Sequence, residues 1–520
     1  MRMADFEIEF ETLQSAPPIH VAGVDAAGWC RGANRIAACG GRLVALWASD
    51  RRADDDAAIV VTAAYAGSEG LYCLRLPLTD GASDFPDLTP WFAAAARMQR
   101  AIGDLFGVRA QAADDLRPWL DHGQWPAGYK PLLGQPLPAG GAADGAIAQY
   151  PFVRVQGEGV HEIAVGPVHA GIIEPGHFRF SVVGEKVLRL EQRLGYVHKG
   201  IERRFTELAP LDAVRLAGRV SGDSTVAYAF AYSMALEAAA GVQVSARAAG
   251  LRALLLEYER IANHLGDLGA IGNDAGLAIA LAQFSRLRED WLRLAADLFS
   301  HRLLMDCILP GGVAHDLDAA SGARLVAASQ RLEVEVLAMR RLYEEHAGLQ
   351  DRLIGTGQVT PALAARLGLT GLAARASGIA IDLRCQFPVA PYDRLEVRMA
   401  CQRNGDVAAR VMLRFDEIAE SLRLLRCLVK SLPEGPVQQA IELPSRAASG
   451  IGWVEGWRGE ILVALELVPS ASGVRIRRCH CHDPSWQNWP VLEHAVIGNI
   501  VPDFPLINKS FNLSYSGQDL

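Results

Sequence analysis

The sequence lacks the Cys-x-x-Cys spacing on which many metal and redox sites are built. Its nine cysteines lie at positions 30, 39, 73, 307, 385, 401, 427, 479 and 481, and no two of them are three residues apart. That spacing is common in iron–sulfur sites, zinc ribbons and thioredoxin-type enzymes. The odd, sparse count, without a readable secretory signal, indicates reduced thiols. The sequence therefore predicts that the chain itself supplies no such site.

Excess positive charge and a long apolar run are also missing. The 51 basic and 59 acidic side chains give a formal charge of −8, whereas a nucleic-acid binder usually carries a basic surface that neutralises phosphates. The N-terminal segment MRMADFEIEF does not resemble a signal peptide. The most apolar stretch, residues 225–242, is rich in alanine and is interrupted by Glu237, which argues against a membrane span. We expect a soluble chain of the cytoplasmic type with no nucleic-acid partner.

Common nucleotide and catalytic motifs are absent as well. The sequence contains no G-x-x-x-x-G-K-S/T phosphate loop, no G-x-G-x-x-G after a predicted strand, and no H-E-x-x-H or G-x-S-x-G. The motif at residues 355–357 (GTG) lacks a third glycine and a strand–helix context, so it predicts a turn. The chain therefore shows no nucleotide site of its own.

One cluster of metal-ligand residue types is present, at residues 479–482 (CHCH). Alternate side chains of a strand point to opposite faces, so each face would offer only two like groups. A tetrahedral site needs four convergent ligands. A structural role is therefore favoured over the alternative of metal binding.

The composition and the distribution of glycine and proline predict a multidomain globular chain. Half of the residues are apolar and 21% are charged, which is ordinary globular usage. Between residues 123 and 145, ten of 23 residues are glycine or proline, and such a stretch is typical of a linker. The predicted organisation is a small domain over residues 1–122, a linker over 123–150, and a large domain over 151–520.

Hydrophobic patterning predicts an α+β fold. In the small domain, segments 41–48, 57–66 and 71–78 have the composition of strands, and residues 89–108 look helical. In the large domain, apolar stripes at helical spacing run over 251–265, over 325–343 with a stop at Gly348, and from an N-cap at Asp406 to near Pro433. These long helices predict a central helical bundle with flanking β hairpins.

Several ordered segments together resemble one family of proteins. The segment at 165–180 (VGPVHAGIIEPGHFRF) resembles the N-terminal β hairpin of the large subunit of membrane-bound [NiFe] hydrogenases and of the quinone-site subunit of respiratory complex I. Later family blocks are matched by residues 195–202 (GYVHKGIE), 257–264 (EYERIANH), 310–313 (PGGV), 375–378 (RASG), 391–393 (PYD), 455–460 (EGWRGE) and 483–489 (DPSWQNW). Residues 100–108 and 115–118 resemble the small docking subunit of complex I. A fusion of the two is similar to the large subunit of formate-hydrogenlyase-type complexes.

The nickel ligands of that family are missing here. Its hydrogenases hold nickel with two Cys-x-x-Cys pairs, because soft thiolates bind nickel and bridge it to iron. The first pair falls on Ser221 and Ser224, and the second falls on Ser514 and Gly517. The resemblance therefore implies a degenerate site with no nickel and no other metal.

The resemblance also implies roles for four polar residues. Glu174 corresponds to the acid that moves protons in hydrogenases, and Arg458 corresponds to the arginine that overhangs the metal. His177 falls where complex I keeps a histidine that contacts the quinone head group, and His169 lies eight residues earlier on the same hairpin. A neutral histidine with a nearby carboxylate can bind a quinone carbonyl and exchange protons.

Two further positions bear on this site. The complex I tyrosine that completes the quinone contact aligns with Gly222 and is missing, which weighs against direct quinone reduction. Asp223, between the two serines, is predicted to form an ion pair with Arg458 in the vacated site.

Structural roles are the alternatives for the remaining histidines and arginines. His198, His264 and His301 lie on helical or helix-terminal segments, where a hydrogen-bonded structural histidine is the commoner case. Three arginines are expected to neutralise buried carboxylates between helices, at positions Arg179, Arg375 and Arg384. For Glu174 and His177 a structural polar network is also an alternative.

The leading functional hypothesis is a non-nickel large subunit of a membrane-associated oxidoreductase. The chain would dock a separate iron–sulfur subunit and lie at the cytoplasmic side of the inner membrane against antiporter-like subunits, with quinone as the candidate ligand of His169 and His177. Any NAD(P)H chemistry would belong to other subunits. The alternatives are a redox-inactive scaffold that couples its partners and, third, an active hydrogenase with unusual ligands.

Overall fold

The computed structural model describes residues 8–13, 15, 17–52, 58–78, 83–134, 150–171, 173–471 and 473–520. Most of the predicted linker, residues 135–149, lies outside the described residues. The N-terminal elements are β1 (Glu11–Leu13), β2 (Ile19–Gly23), α1 (Ala26–Ala38), β3 (Arg42–Asp50), β4 (Ile59–Ala66), β5 (Leu71–Leu78), β6 (Asp84–Pro86), α2 (Ala95–Phe106) and β7 (Arg109–Gln111).

The N-terminal part is a five-stranded mixed sheet with helices packed against it. Its strand order is β1-β2-β5-β4-β3, with β2 and β5 parallel and the other pairs antiparallel. The three predicted strands are confirmed as β3, β4 and β5. The predicted helix over 89–108 is shorter, because residues 89–94 form turns in which Asp87 Oδ1 accepts from the backbone nitrogen of Thr89 at 2.9 Å.

A three-stranded antiparallel sheet opens the second part of the chain. Its strands are β8 (Val160–Val165), β9 (His177–Val183) and β10 (Lys186–Arg193), with β9 in the centre. The long β8–β9 connection carries Glu174 and His169. Short elements follow: α3 (Ile201–Phe205) and α4 (Val214–Ala217).

Long helices form the centre of the molecule, as predicted. They are α5 (Thr225–Ala240), α6 (Ala246–Asp274), α7 (Ala278–Phe299), α8 (Ala319–Glu345) and α13 (Val407–Ser431). The predicted N-cap is confirmed, because Asp406 Oδ1 accepts from the backbone nitrogen of Ala409 at 2.8 Å. Two of these long helices, α5 and α7, were not predicted as helices from the sequence. Between α7 and α13 lie β11 (Ile308–Leu309), β12 (Gly312–Val313), α9 (Ala347–Leu353), α10 (Pro361–Leu367), α11 (Gly371–Ala376) and α12 (Leu383–Gln386).

The last elements close the fold around the bundle. They are β13 (Ala448–Glu455), β14 (Glu460–Ser470), β15 (Gly473–His482), α14 (Ser485–Ala495), α15 (Phe504–Phe511) and α16 (Tyr515–Asp519). Helix α5 lies directly on β13, where Gly450 and Gly452 leave room for it. A Cβ on Gly452 would lie 1.9 Å from the carbonyl oxygen of Ala231, so only glycine permits this approach.

The N-terminal and C-terminal sheets share an apolar core. Side chains of β3 and β5 pack with side chains of β13 and β14 in one buried cluster that includes Trp47, Leu71, Trp453 and Leu462. Arg42 of β3 forms a two-pronged ion pair with Glu460 of β14. The α+β fold is therefore confirmed, with its N-terminal sheet fixed against the large part that carries the site.

Candidate functional site

The two segments that correspond to the lost metal-ligand pairs meet in the interior. Ser221 and Ser224 precede α5, and Ser514 and Gly517 lie at the start of α16. The Oγ atoms of Ser221 and Ser514 are 2.8 Å apart, and the backbone nitrogen of Gly517 donates to Ser514 Oγ at 2.8 Å. The three serines are at most 5% exposed. The four predicted positions therefore converge on one buried site.

An ion pair crosses this site, as the sequence analysis predicted. Arg458 Nη2 donates to Asp223 Oδ2 at 2.6 Å, and its Nη1 donates to Ser224 Oγ at 3.3 Å. Removal from water acts to raise the pKa of Asp223, but the Arg458 guanidinium and the Ser221 hydroxyl outweigh it and hold this pKa below the usual value. Asp223 is ionised at neutral pH, and its side chain is still 36% exposed.

The fourth ligand position is filled by a carboxylate. A Cβ added to Gly517 would lie 2.5 Å from Oδ2 of Asp483. That same oxygen accepts from the hydroxyl of Tyr228 at 2.8 Å, and Oδ1 accepts from the backbone nitrogen of Ser485 at 2.8 Å. A donor set of three hydroxyls and a salt bridge, with no thiolate, does not fit a nickel–iron centre.

Glu174 reaches the same C-terminal segment from the β8–β9 connection. Its Oε2 accepts from the backbone nitrogen of Ser516 at 3.0 Å. His169 approaches the neighbouring residue, since its ring centre lies 6.2 Å from that of Tyr515. Nε2 of His169 and the hydroxyl of Tyr515 are both buried without a hydrogen-bond partner among the described residues. Glu174 and His169 therefore border the converged site on its hairpin side.

His177 lies apart from these residues. As the first residue of β9 it points away from Phe178, whose ring packs inside against Phe504. No hydrogen bond, ion pair or ring contact among the described residues joins His177 to Glu174 or to Arg458. The predicted set of catalytic residues is thus divided between two places.

His177 lines a cavity of about 790 Å³ between the hairpin and the N-terminal part. Its Nδ1 lies 3.3 Å from the carbonyl oxygen of Gly166, and its Nε2 has no partner among the described residues. Partial burial, and secondarily the charge of Arg179, lower the pKa of His177, which favours a neutral ring. The cavity is also lined by His122, Tyr150, Phe152, Arg154, Arg193 and Tyr196.

Glu259 is a functional candidate that the sequence analysis did not single out. It is buried on α6, where its carboxylate accepts from the backbone nitrogens of Val226 at 2.7 Å and Ala227 at 3.3 Å. Burial, with the nearby charge of Asp223 contributing, raises the pKa of Glu259 to about 8. It shares with Asp223 the lining of a cavity of about 130 Å³. The sequence signal that could have identified Glu259 is that it is a second carboxylate, after Glu257, in the helical segment 251–265 that carries the apolar stripe.

A network of buried charges lies behind the site. Arg375 contacts Glu417 at 2.7 Å and Glu455 at 2.8 Å, and Arg384 contacts Glu257 at 3.0 Å. The expectation that these two arginines neutralise buried carboxylates is confirmed. The expectation for Arg179 is wrong, because its partner Glu162 lies on the adjacent strand β8 and both side chains are about one-third exposed.

The remaining histidines have structural partners. His198 Nδ1 lies 2.7 Å from the carbonyl oxygen of Asp519, His264 Nε2 lies 2.8 Å from Glu417, and His301 Nδ1 accepts from the backbone nitrogens of residues 303 and 305. Residues 479–482 lie in β15 as predicted, with His480 bonded to Glu202 and His482 to Gln487. These histidines serve the fold.

Comparison with known proteins defines the class of this architecture. The family described as respiratory-chain NADH dehydrogenase, 30 Kd subunit, matches residues 24–137, and the 49 Kd subunit family matches residues 274–448. Formate hydrogenlyase subunit 5 of Escherichia coli (strain K12) is 30% identical over 495 residues, which cover 92% of this chain and 85% of that protein. The chain therefore belongs to the family of fused 30 Kd and 49 Kd complex I-type subunits, which includes hydrogenase large subunits.

A second relative agrees with this membership, and a solved structure shares the fold. Hydrogenase-4 component G of Escherichia coli (strain K12) is 31% identical over 486 residues, covering 92% of this chain and 84% of that protein. A solved chain from the membrane-bound sulfane sulfur reductase, an archaeal respiratory membrane complex, has the same fold, with a TM-score of 0.65, 24% identity and coverage of 70% of this chain and 99% of that one. Within the described residues, no helix combines the length and apolarity needed to cross a bilayer.

Proposed function

We propose that this chain is the large subunit of a membrane-associated oxidoreductase complex and that it works without nickel. The observation that carries the proposal is the converged site. The four positions that correspond to hydrogenase ligands by resemblance lie together. They carry Ser221, Ser224 and Ser514 beside the Asp223–Arg458 pair and no thiolate, which supports a site without nickel. The names of its relatives, which are subunits of formate hydrogenlyase and hydrogenase-4, support membership of a multi-subunit complex.

Electrons enter from an iron–sulfur subunit that docks near Asp223. The chain has no Cys-x-x-Cys pair of its own, so the cluster belongs to a partner. The Asp223 side chain is partly exposed beside the exposed residue Gly222, so a docked cluster would lie next to the ion pair. The other partners are antiporter-like membrane subunits, and the chain lies on the cytoplasmic side of the inner membrane.

The acceptor is a quinone head group in the cavity beside His177. The rings of Tyr150, Phe152 and Tyr196 line this cavity and can pack against a planar head group. The neutral imidazole of His177 leaves Nε2 without a partner among the described residues. Glu174, which contacts the converged site instead, exchanges protons there.

The complex itself provides the first test. We expect that affinity purification from detergent-solubilised membranes recovers an iron–sulfur protein and antiporter-like membrane proteins, with iron but less than stoichiometric nickel by elemental analysis. Recovery of soluble proteins alone would contradict the membrane complex. One nickel per chain would instead establish the alternative of a hydrogenase with unusual ligands.

Substitutions on the hairpin test whether the subunit takes part in electron transfer or is a redox-inactive scaffold. We expect His177→Ala to lower the rate of electron transfer to a short-chain quinone by about tenfold or more, with complex assembly unchanged. His161→Ala is the matched control, since His161 is an exposed histidine on β8 of the same sheet. Unchanged electron transfer in both His177→Ala and Glu174→Gln would favour the scaffold.

A further inference from the structure

The serines that replace cysteines form a continuous series of hydroxyl groups. Ser516 Oγ lies 3.4 Å from Ser514 Oγ, which lies 2.8 Å from Ser221 Oγ, and Ser221 Oγ donates to Asp223 Oδ1 at 2.7 Å. These three hydroxyls, ending at the Asp223 carboxylate, are called the serine chain below. All three serines are at least 94% buried, so their hydroxyls bond mainly to one another.

The number of hydrogen bonds that each hydroxyl can donate fixes the direction of donation along the serine chain. A serine hydroxyl has one hydrogen to donate and two lone pairs. Because Ser221 donates to Asp223, Ser514 must donate to Ser221. Ser514 then has lone pairs free to accept from the backbone nitrogen of Gly517 at 2.8 Å and from Ser516. All three hydroxyls therefore point toward Asp223, and each bond polarises the next.

The two ends of the serine chain meet titratable groups. At one end, Glu174 Oε2 is bonded to the backbone nitrogen of Ser516, and rotation of the Ser516 side chain between rotamers can bring its hydroxyl toward that carboxylate. At the other end, Asp223 borders the 130 Å³ cavity that it shares with Glu259. The Arg458 guanidinium keeps Asp223 ionised, so the acceptor end rests without a proton.

We propose that the serine chain carries protons between Glu174 and Asp223, through the place where relatives bind metal. This inference rests on the proposed function, in which electrons arrive at a cluster docked beside Asp223. An added electron there favours protonation of Asp223, because the proton offsets the new negative charge.

The proton transfer balances, and no residue of the protein is oxidised or reduced. The Glu174 carboxyl gives one proton to Ser516, Ser516 gives its own proton to Ser514, and Ser514 passes one to Ser221. Ser221 then protonates Asp223. Each serine ends with one hydroxyl hydrogen, Glu174 has lost one proton and Asp223 has gained one. Rotation of the three hydroxyls restores the starting direction, and solvent returns a proton to Glu174.

The experiment measures proton uptake by the purified complex when its clusters are reduced at an electrode. A pH-indicator dye in weak buffer reports protons, and the visible absorbance of the clusters reports electrons. We expect Ser514→Ala and Ser221→Ala to slow proton uptake by about tenfold or more with cluster reduction unchanged. Ser514→Thr keeps a hydroxyl at the same place and should retain most of the rate. Ser233→Ala is the matched control, because it removes a buried hydroxyl of α5 that has no partner among the described residues.

The outcomes distinguish this inference from the proposed function. If both alanine variants have reducible clusters and normal proton uptake, proton transfer through the serine chain would be overturned, while the proposed function as a redox subunit would stand. If Ser514→Thr slowed proton uptake as much as Ser514→Ala, the proposal would also be overturned, because a change in packing rather than the loss of the hydroxyl would then explain the slow uptake. A complex with no reducible cluster would overturn both proposals.

Discussion

Gly517 shows at the scale of one residue how tightly the converged site is packed. By the resemblance to hydrogenases this position corresponds to a cysteine ligand, but here Asp483 occupies the space that a side chain would need, with Oδ2 2.5 Å from where a Cβ would lie. Asp483 is itself held by Tyr228 and Ser485. The absence of a side chain at Gly517 and the position of the buried Asp483 carboxylate therefore belong together.

We expect Gly517→Ala to destabilise the protein by about 1–3 kcal/mol, because the added Cβ displaces a buried, hydrogen-bonded carboxylate. The midpoint of urea unfolding of the purified chain checks this. Gly171→Ala is the control, because a Cβ at Gly171 would meet nothing within 4 Å. Equal stability of the two variants would contradict the closed geometry.

Glu259 makes stability depend on pH. Burial raises the pKa of this carboxyl to about 8 in the folded protein, whereas in the unfolded chain it titrates near 4.3. Between these values the folded state holds a proton that the unfolded state has lost, so the free energy of unfolding falls as pH rises, by up to about 1.4 kcal/mol per pH unit.

We expect Glu259→Gln to flatten this decline between about pH 5 and pH 8. Burial also raises the pKa of Asp519 to about 7, and burial together with the nearby charge of Asp382 raises the pKa of Glu455, so part of the slope should remain. Urea unfolding at several pH values measures it, with the exposed Glu185→Gln as reference. An unchanged slope in Glu259→Gln would show that Glu259 is ionised in the folded protein.

At the scale of elements, helix α13 illustrates how local chemistry fixes a boundary. Asp406 caps its N-terminus through Ala409, and its second oxygen accepts from the backbone nitrogen of Gly355 at 2.9 Å. One carboxylate therefore begins the helix and also holds the turn at residues 355–357 against it.

We expect Asp406→Ala to lower the free energy of unfolding by about 1–2 kcal/mol, because the cap and the bond to the turn are both lost. Asp406→Asn keeps one acceptor oxygen, which can cap the helix but cannot also accept from Gly355, so it should recover about half of this loss. Thermal unfolding followed by circular dichroism measures both variants. A larger loss in Asp406→Asn than in Asp406→Ala would contradict a capping role.

At the scale of the whole molecule, the N-terminal sheet and the C-terminal sheet are one packed unit. Trp453 lies in the shared apolar cluster, and its Nε1 donates to Glu460 Oε2 at 2.9 Å. Glu460 also pairs with Arg42 of the N-terminal sheet. The N-terminal sheet and the C-terminal sheet are therefore joined by apolar packing as well as by charge.

We expect Trp453→Ala to destabilise the molecule by about 3–5 kcal/mol and to weaken both sheets together, because the cavity opens between them. Amide hydrogen exchange checks this through the protection of β3 and of β14. Loss of protection confined to β13–β15 would show that the two sheets unfold independently.

The sequence by itself determined the elements and the inventory of the site. Strand-type composition identified the strands of the small domain, and apolar stripes at helical spacing identified three long helices, because that spacing places the apolar side chains on one face of a helix. The resemblance to hydrogenases pointed to Ser221, Ser224, Ser514 and Gly517 and placed Arg458 beside them. With Asp223 between the first two serines, this predicted the pairing with Arg458, for which the structure gives a distance of 2.6 Å.

Only the tertiary structure decided which of these residues act together. His177 and Glu174 are three residues apart, yet the alternation of β9 and the bend before it direct them to different places, which no linear spacing reveals. The partner of Arg179 depends on the pairing of β8 with β9, and the raised pKa of Glu259 depends on burial by other segments. The serine chain joins residues 221 and 514, a contact between sequence-distant positions that exists because packing brings two ends of the large domain together.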